Sequence, residues 1–451
     1  MHAAGLNITD HMQKLLRGLV PCDTKNGDNK DSWRRWMCLT GDAWERHGAL
    51  VVAARSYLPS SIERPPRNPC RKSSSGYKCL EFLVWIYVLA PALLFGVLEF
   101  SLWQHFCKLV MGIRIVFQRQ ATQVELERAH QLLADFKYDL EVKYAECKIS
   151  RMHFMPQCTH AITHFPFSYT RIGPCICSSQ FPIERTIGDL GAEIKPHSNP
   201  FANLAQRALR RAQVNCLKAL YPEFSDASDI APSQAPSCIL EGGYVLLHPR
   251  DNRPREVRDA EALAIRAYLR STIGPDAGEA SWHDKQEAVR KWSRCRLPNR
   301  EVGRSRMRET GGRRITRISR NVKFHTPNGF GYAEVLYYFQ WKIASAVRAL
   351  ALVSKYGDPD PFLLASSFGA VWAAPALGDL GLAVIEVSSI VAVVGMVPHK
   401  FRTEHTNGIE VELYFVAEKL GAEIEFLDSR DDDEDREDEE DTDEDDDDDE
   451  E

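Results

Sequence analysis

The chain has 451 residues, 44% hydrophobic and 26% charged, an ordinary composition for two or three globular domains that excludes a chain too polar to bury a core. The formal net charge of −7 is misleading, because residues 428–451 alone hold 20 acidic residues and two arginines. The rest of the chain therefore carries a net positive charge of about 11. A basic body with an acidic tail is typical of proteins that bind nucleic acid or basic partners.

The twelve cysteines are scattered along the chain and form no C-x-x-C pair. This usage predicts reduced thiols in a nuclear or cytosolic compartment. We expect no signal peptide, because residues 1–9 lack a basic segment followed by an apolar core.

Residues 6–20 have the spacing of a short amphipathic helix. Thr9 or Asp10 can cap this helix, and its apolar side comprises Met12, Leu15, Leu16 and Leu19. The polar segment that follows contains Trp33, Trp36 and Trp44. These rings could stack on nucleic-acid bases. We favour burial against the helical region, because tryptophan is largely buried on average.

Residues 82–98 form a run of 17 residues without a charge, bounded by Glu81 and Glu99. A bilayer core needs about 20 apolar residues, and Pro91 lies at the centre of this run. Two interpretations are open, a single membrane span and a pair of buried helices broken at Pro91. We favour the buried helices, because apolar runs this short usually belong to a protein core.

The region from about 80 to 150 is predicted to be helical. Thr122 and Glu125 have the spacing of a capping box at the start of a long helix. Apolar residues then recur at steps of three and four, the pattern of one helix stripe: Leu126, Ala129, Leu133, Phe136, Leu140, Tyr144 and Cys147.

Residues 151–177 contain side chains of the types that bind zinc, namely His153, Cys158, His160, His164, Cys175 and Cys177. Their spacing fits no standard zinc finger. Packed, hydrogen-bonded histidines are the favoured interpretation, and a zinc site is the alternative.

Residues 173–194 read G-P-C-I-C-S-S-Q-F-P-I-E-R-T-I-G-D-L-G-A-E-I. Pro182 sets φ for a helix start, so Glu184 is expected in the first turn, where the helix dipole favours a carboxylate. Nucleases that use two divalent ions need two or three such carboxylates. From these residues alone, a capping glutamate beside Arg185 is the favoured interpretation of Glu184, and a metal ligand is the alternative.

A second helix is predicted next, with Asn199 as its cap and Pro200 at its first position. One face carries Leu204, Ala208, Ala212, Cys216 and Leu220, and the cations are Arg207, Arg210, Arg211 and Lys218. Such a face can contact phosphates, although a charged helix face is most often only solvated.

Residues 223–240 are rich in Ser, Pro and Asp and are predicted to form a linker. We expect a strand at 244–248 and helices near 256–271 and 282–294. Residues 294–323 hold ten arginines and one lysine against two glutamates. With its glycines this stretch suits a flexible, phosphate-binding arm, and a solvated loop is the equal alternative. The cations expected at DNA are Arg313, Arg314, Arg317, Arg320 and Lys323.

Apolar runs at 334–339, 347–356, 382–394 and 411–416 predict a small antiparallel barrel or sandwich. Residues 428–451 have no apolar residue to bury and are expected to be disordered. This tail could occupy the basic arm, or bind histones or other basic proteins.

Several of these segments are similar to one known family. Residues 65–78 read P-P-R-N-P-C-R-K-S-S-S-G-Y-K, residues 103–110 read W-Q-H-F-C-K-L-V, and the 173–194 block is followed by N-P-F-A-N-L at 199–204. In these segments the chain resembles the C-terminal catalytic region of fungal CACTA-type (En/Spm-like) DNA transposases.

This resemblance implies an α+β protein. It implies a partial RNase H-like catalytic region at 1–222 with a helical insertion at about 80–150, then the linker, a β-rich module within 241–427 and the tail. Glu184 matches the last carboxylate of the family's Asp-Asp-Glu set, and Asp10, in D-H-M-Q, is the candidate for the second. The expected ions are Mg²⁺ or Mn²⁺. The sequence has no candidate for the first aspartate, which implies an incomplete enzyme.

The predicted function is that of a transposon-derived, nuclear, DNA-binding protein with an incomplete strand-transfer site. Arg185, Arg207, Arg210 and Arg211 join the basic stretch as expected DNA contacts. One alternative is a non-catalytic chromatin or nucleic-acid-binding protein with an acidic tail. The other is a membrane protein with one span at 82–98.

Overall fold

The computed structural model describes residues 2–72, 77–178, 181–193, 199–221, 237–249, 254–257, 259–276, 282, 288–310, 316–327, 329–343, 346–403 and 408–421. The side chains of residues 181–185 are not among those described. Residues 428–451 and most of the 223–240 linker also lie outside these ranges.

Helices account for the regular structure described between residues 2 and 221. They are α1 (Ile8–Leu16), α2 (Gly41–Ala54), α3 (Pro69–Lys72), α4 (Cys79–Val84), α5 (Ala90–Leu93), α6 (Phe100–Phe117), α7 (Gln123–Leu140), α8 (Gln157–Ala161), α9 (Phe165–Ile172), α10 (Cys175–Ser178), α11 (Phe181–Glu193) and α12 (Pro200–Leu220). Shorter π and 3₁₀ segments join them, among them the π segments His2–Asn7, Trp85–Leu89 and Glu141–Ala145 and the 3₁₀ segment Ile149–Phe154. We call residues 2–178 the helical body. The partial RNase H-like region stays a prediction.

Helix α7 begins as its capping box predicts. The Thr122 hydroxyl accepts a hydrogen bond from the amide of Glu125, and the Glu125 carboxylate accepts one from the amide of Thr122. The expected stripe is buried from Leu126 to Tyr144, whereas Cys147, which follows the π segment, is exposed. The stripe packs on α6, where Gly112 allows a close approach to Leu133.

The amino-terminal helix begins earlier than its sequence suggests. The π segment His2–Asn7 precedes α1, so Thr9 and Asp10 lie inside helical structure and neither is a cap. The Thr9 hydroxyl donates to the carbonyl of Ala4 instead, at 3.3 Å. Met12, Leu15 and Leu16 are buried as expected, but Leu19 is 53% exposed.

Most of the apolar run 82–98 lies in the protein core, as predicted, although Val97 is 43% exposed, and Trp33, Trp36 and Trp44 are also buried. The run comprises the end of α4, the π segment Trp85–Leu89 and α5, which follow one another without the break predicted at Pro91. Among the described helices, none is long and apolar enough to cross a membrane. Pro91 has no amide hydrogen for the carbonyl of Tyr87, four residues earlier. The Arg114 Nε of α6 donates to that oxygen at 2.8 Å, which satisfies it inside the core.

Antiparallel strands dominate residues 237–421, which we call the β module. They are β1 (Ser237–Ile239), β2 (Val245–Pro249), β3 (Arg255–Glu256), β4 (Ala288–Val289), β5 (Trp292–Arg296), β6 (Val302–Arg304), β7 (Asn321–Thr326), β8 (Gly329–Ile343), β9 (Ala346–Lys355), β10 (Ala373–Ala374), β11 (Leu382–Glu386), β12 (Ile390–Arg402) and β13 (Glu410–Ala417). Its helices are α13 (Asp259–Ile273), α14 (Arg306–Glu309) and α15 (Pro361–Ser366). The mixture of helices and antiparallel sheet agrees with the predicted α+β class.

Eleven of these strands form one sheet, in the order β1-β2-β5-β8-β7-β12-β13-β10, with β6 added to β5 and β9 joined to β8 and β11. Both faces of β9 are buried. Leu350 and Leu352 pack in the cluster that contains Trp282 of the segment after α13, whereas Ala351 and Val353 face the cluster of β2, β5, β7 and β12. Alternation of apolar side chains on two covered faces explains the long hydrophobic runs of this region.

Residues 288–296 correct one sequence expectation, because they form β4 and β5 and not a helix. Cys295 is buried, and its neighbours Arg294 and Arg296 are half-buried. This alternation has the period of a strand. The pairing of β5 with β2 and β6 determines the conformation.

The β module packs directly on the helical body. Leu363, Val397 and Phe415 belong to the same hydrophobic cluster as the side chains of α6. Arg114 also reaches across, because its Nη1 donates to the carbonyl of Ala370 at 2.9 Å. The two parts therefore share one core.

Candidate nucleic-acid interface

Asp10, the candidate metal ligand at the amino terminus, lies on the surface of α1. Its carboxylate pairs with the Lys14 ammonium at 2.6 Å, one helical turn later, and its side chain is 46% exposed. The adjacent His11 is buried, and its Nε2 donates to the carbonyl of Phe154 at 2.8 Å. Burial lowers the pKa of His11, which favours a neutral imidazole. The D-H-M-Q segment thus anchors α1 to the 3₁₀ segment Ile149–Phe154.

Glu184 and Arg185 lie in the first turn of α11, so the predicted helix start is confirmed. Their side chains are outside the described residues, and their roles stay predictions. In the described part of the chain, α11 lies against α12.

A divalent-ion site does not fit the side chains that the structure describes. In that part of the chain, no group of three or more His, Cys, Asp or Glu side chains could hold a metal ion. The Asp10 carboxylate is already neutralised by Lys14. His160 and His164 approach each other with Nε2 atoms 3.1 Å apart, but they offer only two ligands and both are exposed. We therefore derive no step through Mg²⁺, Mn²⁺ or zinc.

Helix α12 is the predicted basic helix, and it begins at Pro200 with Asn199 at the cap position. None of its residues is buried. It carries four cations and no acidic residue. The Nε of Arg207 donates to the Asn203 side chain at 2.9 Å, which orients this guanidinium along the helix. Arg210 is exposed, and Arg211 is half-buried.

The basic stretch 294–323 is folded wherever the structure describes it, so the prediction of a flexible arm is wrong for those residues. They include the end of β5, β6, α14 and the start of β7, and the turns that join these elements. Gly303, which suggested flexibility, is buried in β6, and a Cβ there would lie 2.6 Å from the Tyr338 hydroxyl. Close packing, and not mobility, requires this glycine.

Three predicted DNA contacts in this stretch make contacts within the protein. The Arg317 guanidinium donates to the carbonyls of Leu58, Pro59 and Ile62 in the helical body. Arg320 pairs with Glu334 and with the buried Glu309. Lys323 is 2% exposed and lies 3.2 Å from Glu418. Arg317 thus joins the β module to the helical body, and Arg320 and Lys323 form ion pairs within the β module. Arg313 and Arg314 lie outside the described residues.

Sequence reasoning missed a cluster formed by Arg294, Arg304 and Arg308, which we call the arginine cluster. Arg294 and Arg304 are direct partners across β5 and β6, so their side chains lie on one face of the hairpin. Arg308 follows in α14. The alternating R-C-R of β5 is a signal for the strand, but the pairing with β6 cannot be read from spacing alone.

Comparisons with protein-family models, curated proteins and solved structures found no match to the chain.

Proposed function

We propose that this protein is a transposon-derived, nuclear, DNA-binding protein related to CACTA-type transposases, with an incomplete metal-dependent strand-transfer site. The observation that carries the DNA-binding part is the exposed, purely basic helix α12. The family relationship rests on the sequence segments that resemble such transposases, among which α11 and α12 follow one another.

Helix α12 has the size and charge for a contact with duplex DNA. Its 21 residues span about 30 Å, since an α-helix rises about 1.5 Å per residue. Arg207, Arg210, Arg211 and Lys218 give it a charge of +4, with no carboxylate on the same helix to compete with phosphates. Binding through such cations releases counterions from DNA and weakens steeply with salt.

The incomplete strand-transfer site is supported by the sequence and by the surroundings of Asp10. Of the three carboxylates that the resemblance implies, the sequence supplies candidates for two, Asp10 and Glu184. Asp10 is paired with Lys14, an arrangement that competes with metal binding. We therefore propose DNA binding without efficient strand cleavage.

A fluorescence anisotropy titration with labelled duplex DNA tests this proposal. The full chain should bind at low salt, and log Kd should rise linearly with log salt concentration. A variant with Arg207→Gln, Arg210→Gln and Arg211→Gln should reduce the salt slope by about 0.9 for each phosphate that these side chains neutralise in the wild type. A control with Lys25→Gln, Arg34→Gln and Arg46→Gln removes the same charge from exposed positions of the helical body. Equal weakening by both variants, or no binding by the wild type, would refute the proposal.

A further inference from the structure

The arginine cluster is built on a rigid part of the β module. Strand β5 holds Arg294, and β6 holds Arg304 directly opposite. The Ser305 amide donates to the carbonyl of Ser293 at 3.0 Å, which fixes the start of α14 beside β5. The Ser305 hydroxyl then accepts from the Arg308 amide at 3.3 Å. The three guanidinium groups therefore belong to one short, hydrogen-bonded unit.

Like charges dominate this unit. Burial, followed by the positive charges of Arg308 and Arg304, lowers the pKa of Arg294. The Arg294 Nε is buried, and among the described residues it has no hydrogen-bond partner. Like charges directly opposite each other on neighbouring strands destabilise a sheet. The cluster therefore has an unfavourable charge arrangement that an anion would relieve.

The nearby Glu309 carboxylate neutralises the cluster only in part, because it pairs with Arg304 and with Arg320. Glu309 is buried in α14, where Oε1 accepts from the Ser319 amide at 2.8 Å and Oε2 lies 3.1 Å from Arg320. Its Oε1 lies 3.8 Å from the Arg304 Nη1, an ion-pair distance that is too long for a hydrogen bond. Arg304 also donates to the carbonyl of Arg317 at 3.1 Å. The Glu309 carboxylate thus makes its shortest contacts with the Ser319 amide and the Arg320 guanidinium.

We propose that Arg294, Arg304 and Arg308 bind backbone phosphates of duplex DNA, as a second contact surface in addition to α12. This inference rests on the proposed DNA-binding function. Guanidinium groups bind phosphate oxygens with two parallel hydrogen bonds, which suits a folded hairpin that presents several of them. Arg294 and Arg304 are half-buried and Arg308 is exposed, so the surface is open, as a DNA backbone requires.

The test compares Arg294→Gln/Arg308→Gln with Arg300→Gln/Arg296→Gln in the full chain. Both double variants remove two positive charges, the first from β5 and α14 and the second from β5 and the turn that joins it to β6, and the second leaves the arginine cluster intact. Labelled duplex DNA is titrated by anisotropy over a series of salt concentrations. We expect at least a fivefold weaker Kd and a shallower salt slope for the first variant, and less than a twofold change for the second.

Thermal unfolding of the same proteins without DNA separates binding from a structural role. Removal of Arg294 relieves repulsion, so the first variant should unfold at the same Tm as the wild type or at a higher one. A lower Tm, or wild-type DNA affinity and salt slope, would overturn the inference and leave binding through α12 intact. Absence of DNA binding by the wild type at low salt would instead refute the proposed function, and the cluster inference with it.

Discussion

Arg151 and Asp28 form a buried ion pair, with the Arg151 Nε 2.8 Å from the Asp28 Oδ1 and each side chain only 1% exposed. The residues are 123 positions apart and join the 3₁₀ segment Ile149–Phe154 to the polar loop before α2. Arg151 also donates to the carbonyl of Tyr144, and the Trp33 indole donates to Asp28. The Asp28 Oδ1 thus accepts from both Arg151 and Trp33 inside the helical body, whereas the buried Oδ2 has no hydrogen-bond partner among the described residues.

Arg151→Met should destabilise the protein by about 3–5 kcal/mol, because it leaves the Asp28 carboxylate buried without its charged partner. Denaturant unfolding measures this loss. Arg34→Met is the matched control, since it breaks a pair with Asp31 in which both side chains are more than three-quarters exposed. The control should change stability little. Equal losses in the two variants would contradict the role of burial.

Stability should fall as the solution is made acidic. Burial would raise the pKa of Asp28, but the hydrogen bonds from Arg151 and Trp33 outweigh it and hold the pKa below its usual value. A carboxylate with a lowered folded-state pKa stabilises the protein above its unfolded pKa of about 4, and this contribution is lost as the pH falls through the folded pKa. Asp28→Asn should therefore be less stable than the wild type at neutral pH. We expect urea unfolding to show this difference shrinking below pH 4, and a constant difference would refute it.

Two helical glycines should respond in opposite ways to alanine. A Cβ at Gly112 in α6 would lie 2.7 Å from the Leu133 Cγ, so Gly112→Ala should cost about 1–3 kcal/mol through overpacking. Gly188 in α11 has no atom within 4 Å of such a Cβ, so Gly188→Ala should stabilise that helix by about 0.5–1 kcal/mol. Chemical unfolding and circular dichroism measure the two effects. Destabilisation by Gly188→Ala would show that α11 is packed more tightly than the structure describes.

DNA cleavage should be weak or absent with Mg²⁺ or Mn²⁺. This expectation rests on the proposed incomplete strand-transfer site, in which Lys14 pairs with the Asp10 carboxylate and competes with a divalent ion. Supercoiled plasmid incubated with the protein and either ion should stay supercoiled, and Glu184→Gln should behave identically. Strong nicking by the wild type that Glu184→Gln abolishes would show that the strand-transfer site is complete.

Deletion of residues 428–451 should tighten DNA binding if the acidic tail competes for the cationic surfaces. The tail holds 20 acidic residues and two arginines, so its deletion removes a strong intramolecular competitor. The increase in affinity should be largest at low salt, where charges are least screened. Unchanged affinity across the salt series would show that the tail does not compete with DNA. Its predicted contact with histones would then need a separate test.

Local patterns predicted the capping box of α7, most of the buried apolar run and the strands β8, β9 and β13. Predictions from residue spacing were wrong where contacts with a segment distant in sequence determine the conformation. Residues 292–296 became a strand through pairing with β2 and β6, and Gly303 is fixed by the Tyr338 side chain. The arginine cluster was also missed because it depends on contacts between segments distant in sequence. The basic composition of 294–323 indicated an anion-binding region, but only strand register separates the arginine cluster from Arg317 and Arg320, which bind protein groups.

The two hydrogen bonds of Arg114 have a consequence for how the chain can be divided. One joins it to Tyr87 in the helical body and the other to Ala370 in the β module, and burial lowers its pKa. Separation of the two parts would expose the shared apolar cluster and strip this cation of one of its carbonyl partners. Expression of either half alone should therefore give an aggregation-prone polypeptide, and calorimetry of the whole chain should show a single cooperative transition.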